Sequence, residues 1–262
     1  GVNLTPNTPN FMPERNFVYE AGFKSQFLDR HLRVNGDVFY SVYKDIQLSS
    51  LVGGLPVMQN ALGGHAKGAE LEVTGQFGGL GLNVGAGLLD ASFSNAACIS
   101  DTNAAGTDVG CATNLRVVPE GRNLPFSPKL TLNAGIQYAI PVGSMTVTPR
   151  AQWSHVSSQW ATPFQSVNTL VPERDLLDAR VTVDLNNGWQ VEGFVQNLTN
   201  KVYIASQIQN SSSADGGIIY GAPRTWALPG KPRNASKGPK GNPANTPAAG
   251  FAGLASVPGR AT

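Results

Sequence analysis

The sequence has few charged residues, few cysteines and no long hydrophobic run. Charged side chains make up 14% of the chain, against roughly 25% in an ordinary soluble domain, so a typical water-exposed surface is not expected. No apolar run approaches the roughly 18 residues of a membrane-spanning helix, which excludes a bundle of such helices. We find no phosphate-binding loop, metalloprotease motif or serine-hydrolase elbow. The sequence therefore predicts no enzyme, no catalytic residue, no metal site and no cofactor.

Both ends of the chain differ from its body. The opening GVNLTPNTPN has neither the basic nor the apolar part of a secretory signal, so residues 1–14 are expected to be an extended segment of a processed product or a fragment. Residues 228–262 contain five Lys or Arg, no acid, six Pro, six Gly and seven Ala. That composition cannot bury a core and predicts a basic, disordered tail. Phe251 is its only aromatic residue, so nucleic acid is not a predicted partner.

The body of the chain, 15–227, has a hydrophobic period of two. In LRVNGDVFYSVYKDIQLS, which begins at Leu32, apolar side chains including Val34, Val38 and Ile46 alternate with polar ones. Because successive side chains of a strand point to opposite faces, this pattern predicts one apolar and one wet face. The run is much longer than a globular strand, and a tilted strand needs only about 9–11 residues to cross a bilayer.

The same alternation recurs along the chain and predicts nine strands. Their expected ranges are 15–27, 32–49, 65–77, 80–94, 126–139, 145–159, 174–185, 189–204 and 218–228. Short connections at 28–31, 78–81, 140–144 and 186–188 alternate with long ones at 50–64, 95–124, 161–174 and 205–217. Short turns at one end and long loops at the other are typical of an outer-membrane barrel. The predicted fold is all-β, an antiparallel up-and-down transmembrane β-barrel portion with a disordered C-terminal tail.

The alternation also predicts which side chains face lipid and which face the lumen of such a barrel. The expected lipid-facing side chains are Val34, Val38, Leu71, Val73, Leu132, Val181 and Val191. The expected lumen-facing side chains are Asn35, Asp37, Glu70, Glu72, Asn133 and Gln190. Outer-membrane lipid is therefore a predicted partner.

Two cysteines, Cys98 and Cys111, lie in the long loop 95–124. In an exported protein, two cysteines in one surface loop favour a disulfide over two free thiols. Zinc is not expected, because the loop offers no His. The chain's His residues (His31, His65 and His155) lie in separate segments, which does not favour a metal cluster.

Several segments resemble TonB-dependent outer-membrane receptors. FVQNLTNKVY (194–203) is similar to their penultimate-strand signature, and YGAPRTW (220–226) to the start of their last strand. NFVYEAGFKSQFLDRHLRVNGDVFYSVYKDIQ, KGAELEVTG and LPFSPKLTLN resemble other segments of the carboxy-terminal part of the family, in the same order. The family-motif residues are Asn197, Leu198, Thr199, Asn200, Tyr203, Pro223, Arg224 and Trp226.

The resemblance implies a barrel of 22 strands with a plug, in the bacterial outer membrane, for energised uptake of siderophores, vitamin B12 or sugars. An iron chelate is the expected ligand, and the TonB complex and plug are expected partners only of a full-length receptor. This sequence shows no plug segment and no TonB box, and after WALPG it departs from the family's closing strand, as a frameshift would produce. The strand is therefore expected to end at about Leu228.

Two other functions remain open at this point. A passive porin-like channel would need an even number of strands and closure, whereas nine are predicted. A soluble or surface β-protein would not require such long two-faced strands. Taken alone, the chain is expected not to work as a transporter and to aggregate through its open edges.

Overall fold

The structure is a computed structural model that describes residues 12–52, 55–100, 111, 115–165, 169–185, 188–208, 217–228 and 230–232. Among these residues, no helix is long and apolar enough to cross a membrane. The strands are β1 (Arg15–Phe27), β2 (Leu32–Val52), β3 (Leu55–Phe77), β4 (Leu80–Phe93), β5 (Ala97–Ser100), β6 (Leu115–Val118), β7 (Leu130–Tyr138), β8 (Ile140–Val142), β9 (Met145–Val156), β10 (Gln159–Trp160), β11 (Leu170–Val171), β12 (Arg174–Asp184), β13 (Trp189–Gln196), β14 (Ile204–Ile208), β15 (Gly217–Tyr220), β16 (Thr225–Ala227) and β17 (Gly230–Pro232).

One large antiparallel sheet contains most of these strands. Its order is β1-β2-β3-β4-β7-β9-β12-β13-β16, with β17 also paired to β13 and β8 to β9. Neighbours in the sheet follow the order of the chain, which is the up-and-down layout that the sequence predicts. The prediction of an all-β antiparallel barrel portion with about nine strands is confirmed.

The strand register gives the sheet two chemically different faces. Val34 pairs with Val73, and Val73 pairs with Val84, so these side chains lie on one face, here called the apolar face. Large side chains such as Val38 and Leu88, each 57% exposed, stand on it uncovered. The opposite face, here called the polar face, carries Asn35, which pairs with Glu72.

Tight turns connect neighbouring strands at one end of the sheet, here called the short-turn end. The turn between β3 and β4 has Gly78 at φ 58°, and the turn between β12 and β13 has Gly188 at φ 90°. Glycine adopts such positive φ values without strain. Between β1 and β2, Leu28, Asp29 and Arg30 all have positive φ, and the His31 amide donates to the Leu28 carbonyl at 2.9 Å.

At the other end, here called the long-loop end, β2 and β3 extend well beyond the rest of the sheet. The prediction of a long connection at 50–64 is wrong, because these residues are strand except for 53 and 54, which lie outside the described residues. The extension contains a bulge, because the pairing shifts between Tyr43 and Ile46 and Asp45 has φ 58°. An extra residue in one strand reverses its alternation. Ile46 therefore follows Tyr43 onto the polar face, and the prediction that Ile46 shares the apolar face with Val34 and Val38 is wrong.

The closing strand also differs from the prediction. The expected strand 218–228 is divided: Gly217–Tyr220 pairs with Ile204–Ile208 in a separate ribbon, and Thr225–Ala227 joins the large sheet. Pairing then resumes beyond Leu228, because Gly230–Pro232 pairs with Trp189–Val191 in the register that Thr225–Ala227 set on β13. Strand pairing therefore does not end at Leu228. The rest of the predicted tail, 233–262, lies outside the described residues.

Candidate functional site

Four strands of the polar face carry the side chains predicted to face a lumen. Asp37 of β2 pairs with Glu70 of β3, and the Asn35 side-chain amide donates to Glu72 Oε2 at 3.1 Å. Asn133 of β7 lies over Gly85 of β4. A Cβ atom at Gly85 would stand 2.4 Å from Asn133 Nδ2, so only glycine leaves room for that side chain.

Gln190 lies on the same face nearer the short-turn end, where it pairs with Asp184. The six side chains predicted to face the lumen thus share one face of the sheet. The seven predicted to face lipid share the other. The strand register thus puts the two sets on opposite faces, and what surrounds each face is a proposal.

Arg150 forms a hydrogen-bonded hub that the sequence did not single out. Its guanidinium donates to Gln137 Oε1 at 2.9 Å, to Asn83 Oδ1 at 2.8 Å and to Gln152 Oε1 at 2.6 Å. These partners come from β4, β7 and β9. The hub lies over Gly135, where a Cβ atom would come within 2.4 Å of two of the acceptor oxygens.

The alternation places each residue of the hub on a wet face. Their meeting depends on the register between three strands, which no single-strand pattern reveals. The hub thus fixes a patch of amide and guanidinium groups on the polar face, and that patch can offer hydrogen bonds to water or to a polar solute.

At the long-loop end, loops fold onto the polar face and form a small apolar core. Phe93 is 1% exposed and Val118 is 0% exposed, with Ile46, Leu124 and Phe164 packed against them. We call these five residues the loop core. The Arg122 guanidinium donates to the Phe164 carbonyl, and the Phe93 amide donates to the Arg122 carbonyl at 2.8 Å.

The predicted cysteine pair lies beside this core. Sγ of Cys98 and Sγ of Cys111 are joined in a disulfide, with their Cα atoms 5.6 Å apart. Cys98 belongs to β5, which pairs with β6 through Cys98 and Val117. The disulfide therefore joins Cys111 to the β5–β6 hairpin, and β6 ends at Val118 in the loop core.

A cleft of about 410 Å³ lies at the bulge of β2, lined by Val42, Tyr43, Lys44, Asp45, Asn60, Gly63, Ser94 and Asn95. The Asn60 side-chain amide holds one wall in place. It donates to the Asp45 carbonyl at 2.6 Å and to the Met12 carbonyl at 2.9 Å. The segment before β1 is thereby bound to the extended hairpin.

Asn197 organises the turn that follows β13. It is 4% exposed and has φ 50°. Its Oδ1 accepts from the Lys201 amide at 2.8 Å, and its Nδ2 donates to the carbonyls of Lys201 at 2.9 Å and Ala222 at 3.2 Å. Its own amide donates to Asp178 Oδ1 at 2.8 Å. One side chain thus connects the turn to the segment that enters the closing strand.

The other family-motif residues support the same junction. The Arg224 amide donates to Asn200 Oδ1 at 3.0 Å, and the Leu198 amide donates to the Leu177 carbonyl at 2.7 Å. The ring of Tyr203 covers Gly221, where a Cβ atom would be 1.9 Å from Cζ. Thr199 and Pro223 are exposed, and Trp226 pairs with Val195 on the apolar face.

Each of the three histidines contacts a different partner. His31 Nδ1 lies 2.7 Å from the Gln76 carbonyl, His65 Nε2 lies 3.0 Å from Ser92 Oγ, and His155 Nδ1 lies 3.0 Å from Asp175 Oδ1. Within the described part of the chain, no group of three or more His, Cys, Asp or Glu side chains could hold a metal ion.

A protein-family model and several solved structures match this chain. The model of the β-barrel of TonB-dependent receptor-like proteins matches residues 1–198. The ferric yersiniabactin uptake receptor FyuA of Yersinia pestis is 19% identical, with a TM-score of 0.65 over 83% of this chain and 29% of that one. The siderophore receptor PiuA of Acinetobacter baumannii is 18% identical, with a TM-score of 0.64 over 87% and 29%.

The ferric preacinetobactin receptor BauA of Acinetobacter baumannii is 23% identical, with a TM-score of 0.60 over 84% of this chain and 29% of that one. At these identities the matches show the fold. The chain spans about 29% of the length of each of these three structures.

Proposed function

Because the chain belongs to the TonB-dependent receptor-like β-barrel family, whose barrels lie in the bacterial outer membrane, we propose that it forms the carboxy-terminal part of such a barrel. The barrel would serve the energised uptake of an iron chelate of the siderophore type. The observation that carries this proposal is the two-faced sheet, in which nine strands follow one another in the order of the chain.

The two faces fit the two surroundings of a barrel wall. Large apolar side chains that stand uncovered, such as Leu71, Leu88 and Ile136, suit contact with lipid. The carboxylates and amides of the polar face suit a water-filled lumen, since outer-membrane barrels alternate apolar and polar side chains in this way. On this proposal the long-loop end faces outward and carries the loop core and the disulfide.

The ligand class rests on the neighbours in structure. The three structures described above are receptors for ferric yersiniabactin, a siderophore and ferric preacinetobactin by their own descriptions. On that basis we propose an iron chelate as the ligand of the receptor to which this chain belongs. The cleft at the bulge and the loop core lie at the end where such a ligand would enter. The plug and the TonB complex would be partners of the full-length receptor.

Transport would therefore require the closed barrel with its plug, and this chain alone is expected to aggregate through its sheet edges. The proposal is tested in a strain that lacks its own iron-chelate receptors. Cells expressing a full-length receptor that contains this chain are given a panel of radiolabelled ferric siderophores, with and without the TonB energy supply. We expect accumulation of one class of chelate that stops when TonB is removed.

Two results would count against the proposal. Accumulation that continues without TonB would indicate a passive channel. A chain found in the soluble fraction, with no heat-modifiable species on a gel, would indicate a soluble or surface β-protein.

A further inference from the structure

The Arg150 hub holds a positive charge that no carboxylate of the described residues pairs with. The three acceptors of its guanidinium, on Gln137, Asn83 and Gln152, are neutral amide oxygens. In the described part of the chain, the acids within 4.0 Å of a cation belong to other pairs. A guanidinium cannot be deprotonated in a protein. Arg150 is therefore a half-buried cation whose contacts are with neutral groups.

The three strands that form the hub carry no other charge on the polar face. Besides Arg150, the titratable residues of β4, β7 and β9 are Asp90 and His155. Asp90 lies two positions from Leu88 in β4, and His155 pairs with Leu132, so both point to the apolar face. Arg150 is thus the single charged side chain that these three strands place on the polar face.

The charged groups one strand further away on this face have partners of their own. Glu72 of β3 accepts from a side-chain amide at 3.1 Å, and Asp178 of β12 accepts from a backbone amide at 2.8 Å. Arg180 of β12 lies directly opposite Arg150, and its Nη1 is 3.6 Å from Glu192 Oε2. The neighbouring strands therefore leave Arg150 without an ion pair.

The guanidinium also fixes the direction of the amides around it. Because arginine has donors and no acceptor, each amide must turn its oxygen towards Arg150 and its NH₂ group away. The NH₂ groups of Asn83, Gln137 and Gln152 find no acceptor among the residues that the structure describes. The hub consequently presents a ring of N–H donors around one cation, which is the lining that suits an anion.

Glycines leave the surface at the hub open. A Cβ atom at Gly135 would stand 3.0 Å from Arg150 Nη2, and one at Gly81 would stand 2.8 Å from Gln137 Cγ. The hub therefore rests on bare backbone, and its other side points away from the sheet. Arg150 lies five residues after Met145, where β9 begins at the short-turn end. That is roughly 17 Å of strand, or roughly 12 Å of height at a tilt of about 45°.

We propose that the Arg150 hub binds a carboxylate group of a small solute inside the lumen. The inference rests on the proposed function, which makes the polar face the wall of the lumen. It adds a site near the short-turn end for a chelate that carries carboxylate groups, well below the loop core. A carboxylate accepts from the guanidinium and from the amide NH₂ groups together, and charge-assisted hydrogen bonds are roughly twice as strong as neutral ones.

Titration of citrate into the purified full-length receptor that contains this chain tests the proposal by calorimetry. Gln152→Glu is the sharpest variant, because it keeps an oxygen for Arg150 Nη2 and puts a carboxylate where the solute would bind. We expect it to weaken citrate binding roughly tenfold without lowering the free energy of unfolding. Arg150→Gln should weaken binding as much, and Arg150→Lys should weaken it less because the charge is kept.

Arg33→Gln is the matched control. Arg33 is exposed on the polar face of β2, where it pairs with Thr74, and its loss should leave citrate binding unchanged. An equal loss in Arg33→Gln would show a general effect of charge and would overturn the proposal. Equal binding in the wild type and in Gln152→Glu would show that the hub has a structural role only.

A wild-type receptor that binds no citrate, as when a carboxylate of the plug fills the hub, would also overturn the proposal. Uptake of ferric siderophores, measured in parallel, separates this inference from the proposed function. A receptor that accumulates its chelate but fails the citrate tests refutes the inference alone. A receptor that binds citrate as expected but accumulates no chelate refutes the proposed uptake and leaves the anion site in place.

Discussion

The long-loop end and the short-turn end of the sheet are built in different ways. At the short-turn end, glycines and other residues with positive φ reverse the chain within a few positions, as at Gly78 and Gly188. At the long-loop end, buried side chains hold the loops against the sheet. Phe93, Val118 and Val171 are the largest fully buried side chains of the described residues, and all three lie there.

The two ends of the sheet are thus stabilised by different kinds of interaction. The short-turn end depends mainly on backbone geometry, so it can be made from many turns of the right type. The long-loop end is a packed layer on top of a sheet that otherwise leaves its apolar side chains uncovered. Changes to buried side chains should therefore cost most at the long-loop end, and that expectation can be tested by paired substitutions.

The largest difference in the loss of unfolding free energy is expected between Phe93→Ala and Phe77→Ala. Phe93→Ala would leave a cavity in the loop core and should cost about 3–5 kcal/mol of unfolding free energy. Phe77, at the short-turn end, is 39% exposed, and Phe77→Ala should cost clearly less. Urea unfolding of the full-length receptor in lipid vesicles measures both. Equal losses would show that the loop core is not a packed unit.

The disulfide should contribute the next largest effect at the long-loop end. Cys98 and Cys111 are 13 residues apart, and closing a loop of this size is worth about 3 kcal/mol. Cys98→Ser with Cys111→Ser should therefore make the loop 95–124 sensitive to protease, while the short turns stay resistant. Mass mapping without reductant should find the cross-linked peptide in the exported receptor. Two thiols open to alkylation would contradict the pairing.

Asn197 gives a smaller and more local test. Asn197→Ala removes three half-buried hydrogen bonds and leaves backbone groups of Lys201 and Ala222 without that partner, which should cost about 1–3 kcal/mol. Asn197→Asp keeps the acceptor for the Lys201 amide, so its loss should be intermediate. Hydrogen exchange should rise at Thr225–Ala227, because the segment leading into this strand is no longer held. If Ala and Asp behaved alike, the side-chain acceptor would have no role.

The alternation of apolar and polar residues predicts most of the sheet, because each face has one kind of surroundings and the period of a strand is two. It groups Val34 with Val73 and Asn35 with Glu72 without any knowledge of their pairing. It fails at Ile46, where the bulge at Asp45 reverses the alternation. The sequence carries no local signal for that bulge, because Asp45 reads as one more polar residue.

The prediction of the closing strand fails for a different reason. Ile218–Tyr220 has strand character, but the turn at Asn197 redirects the chain, so these residues pair locally with Ile204–Ile208. The prolines predict an end at Leu228, yet Gly230–Pro232 continues the pairing with β13. A proline is tolerated at the edge of a sheet, and β17 is an edge strand that pairs with β13. The sequence does not reveal the Arg150 hub, because its residues lie on three strands and meet only through the register between those strands.

The central claim is that the apolar face meets lipid and the polar face meets water. Val73 and Glu72 are neighbours on β3 and point to opposite faces. The most direct measurement is the unfolding free energy of the full-length receptor in vesicles with Val73→Arg and with Glu72→Arg. The assignment predicts a loss of roughly 2–4 kcal/mol for Val73→Arg near mid-membrane, and little loss for Glu72→Arg. Equal tolerance of the two substitutions would contradict it.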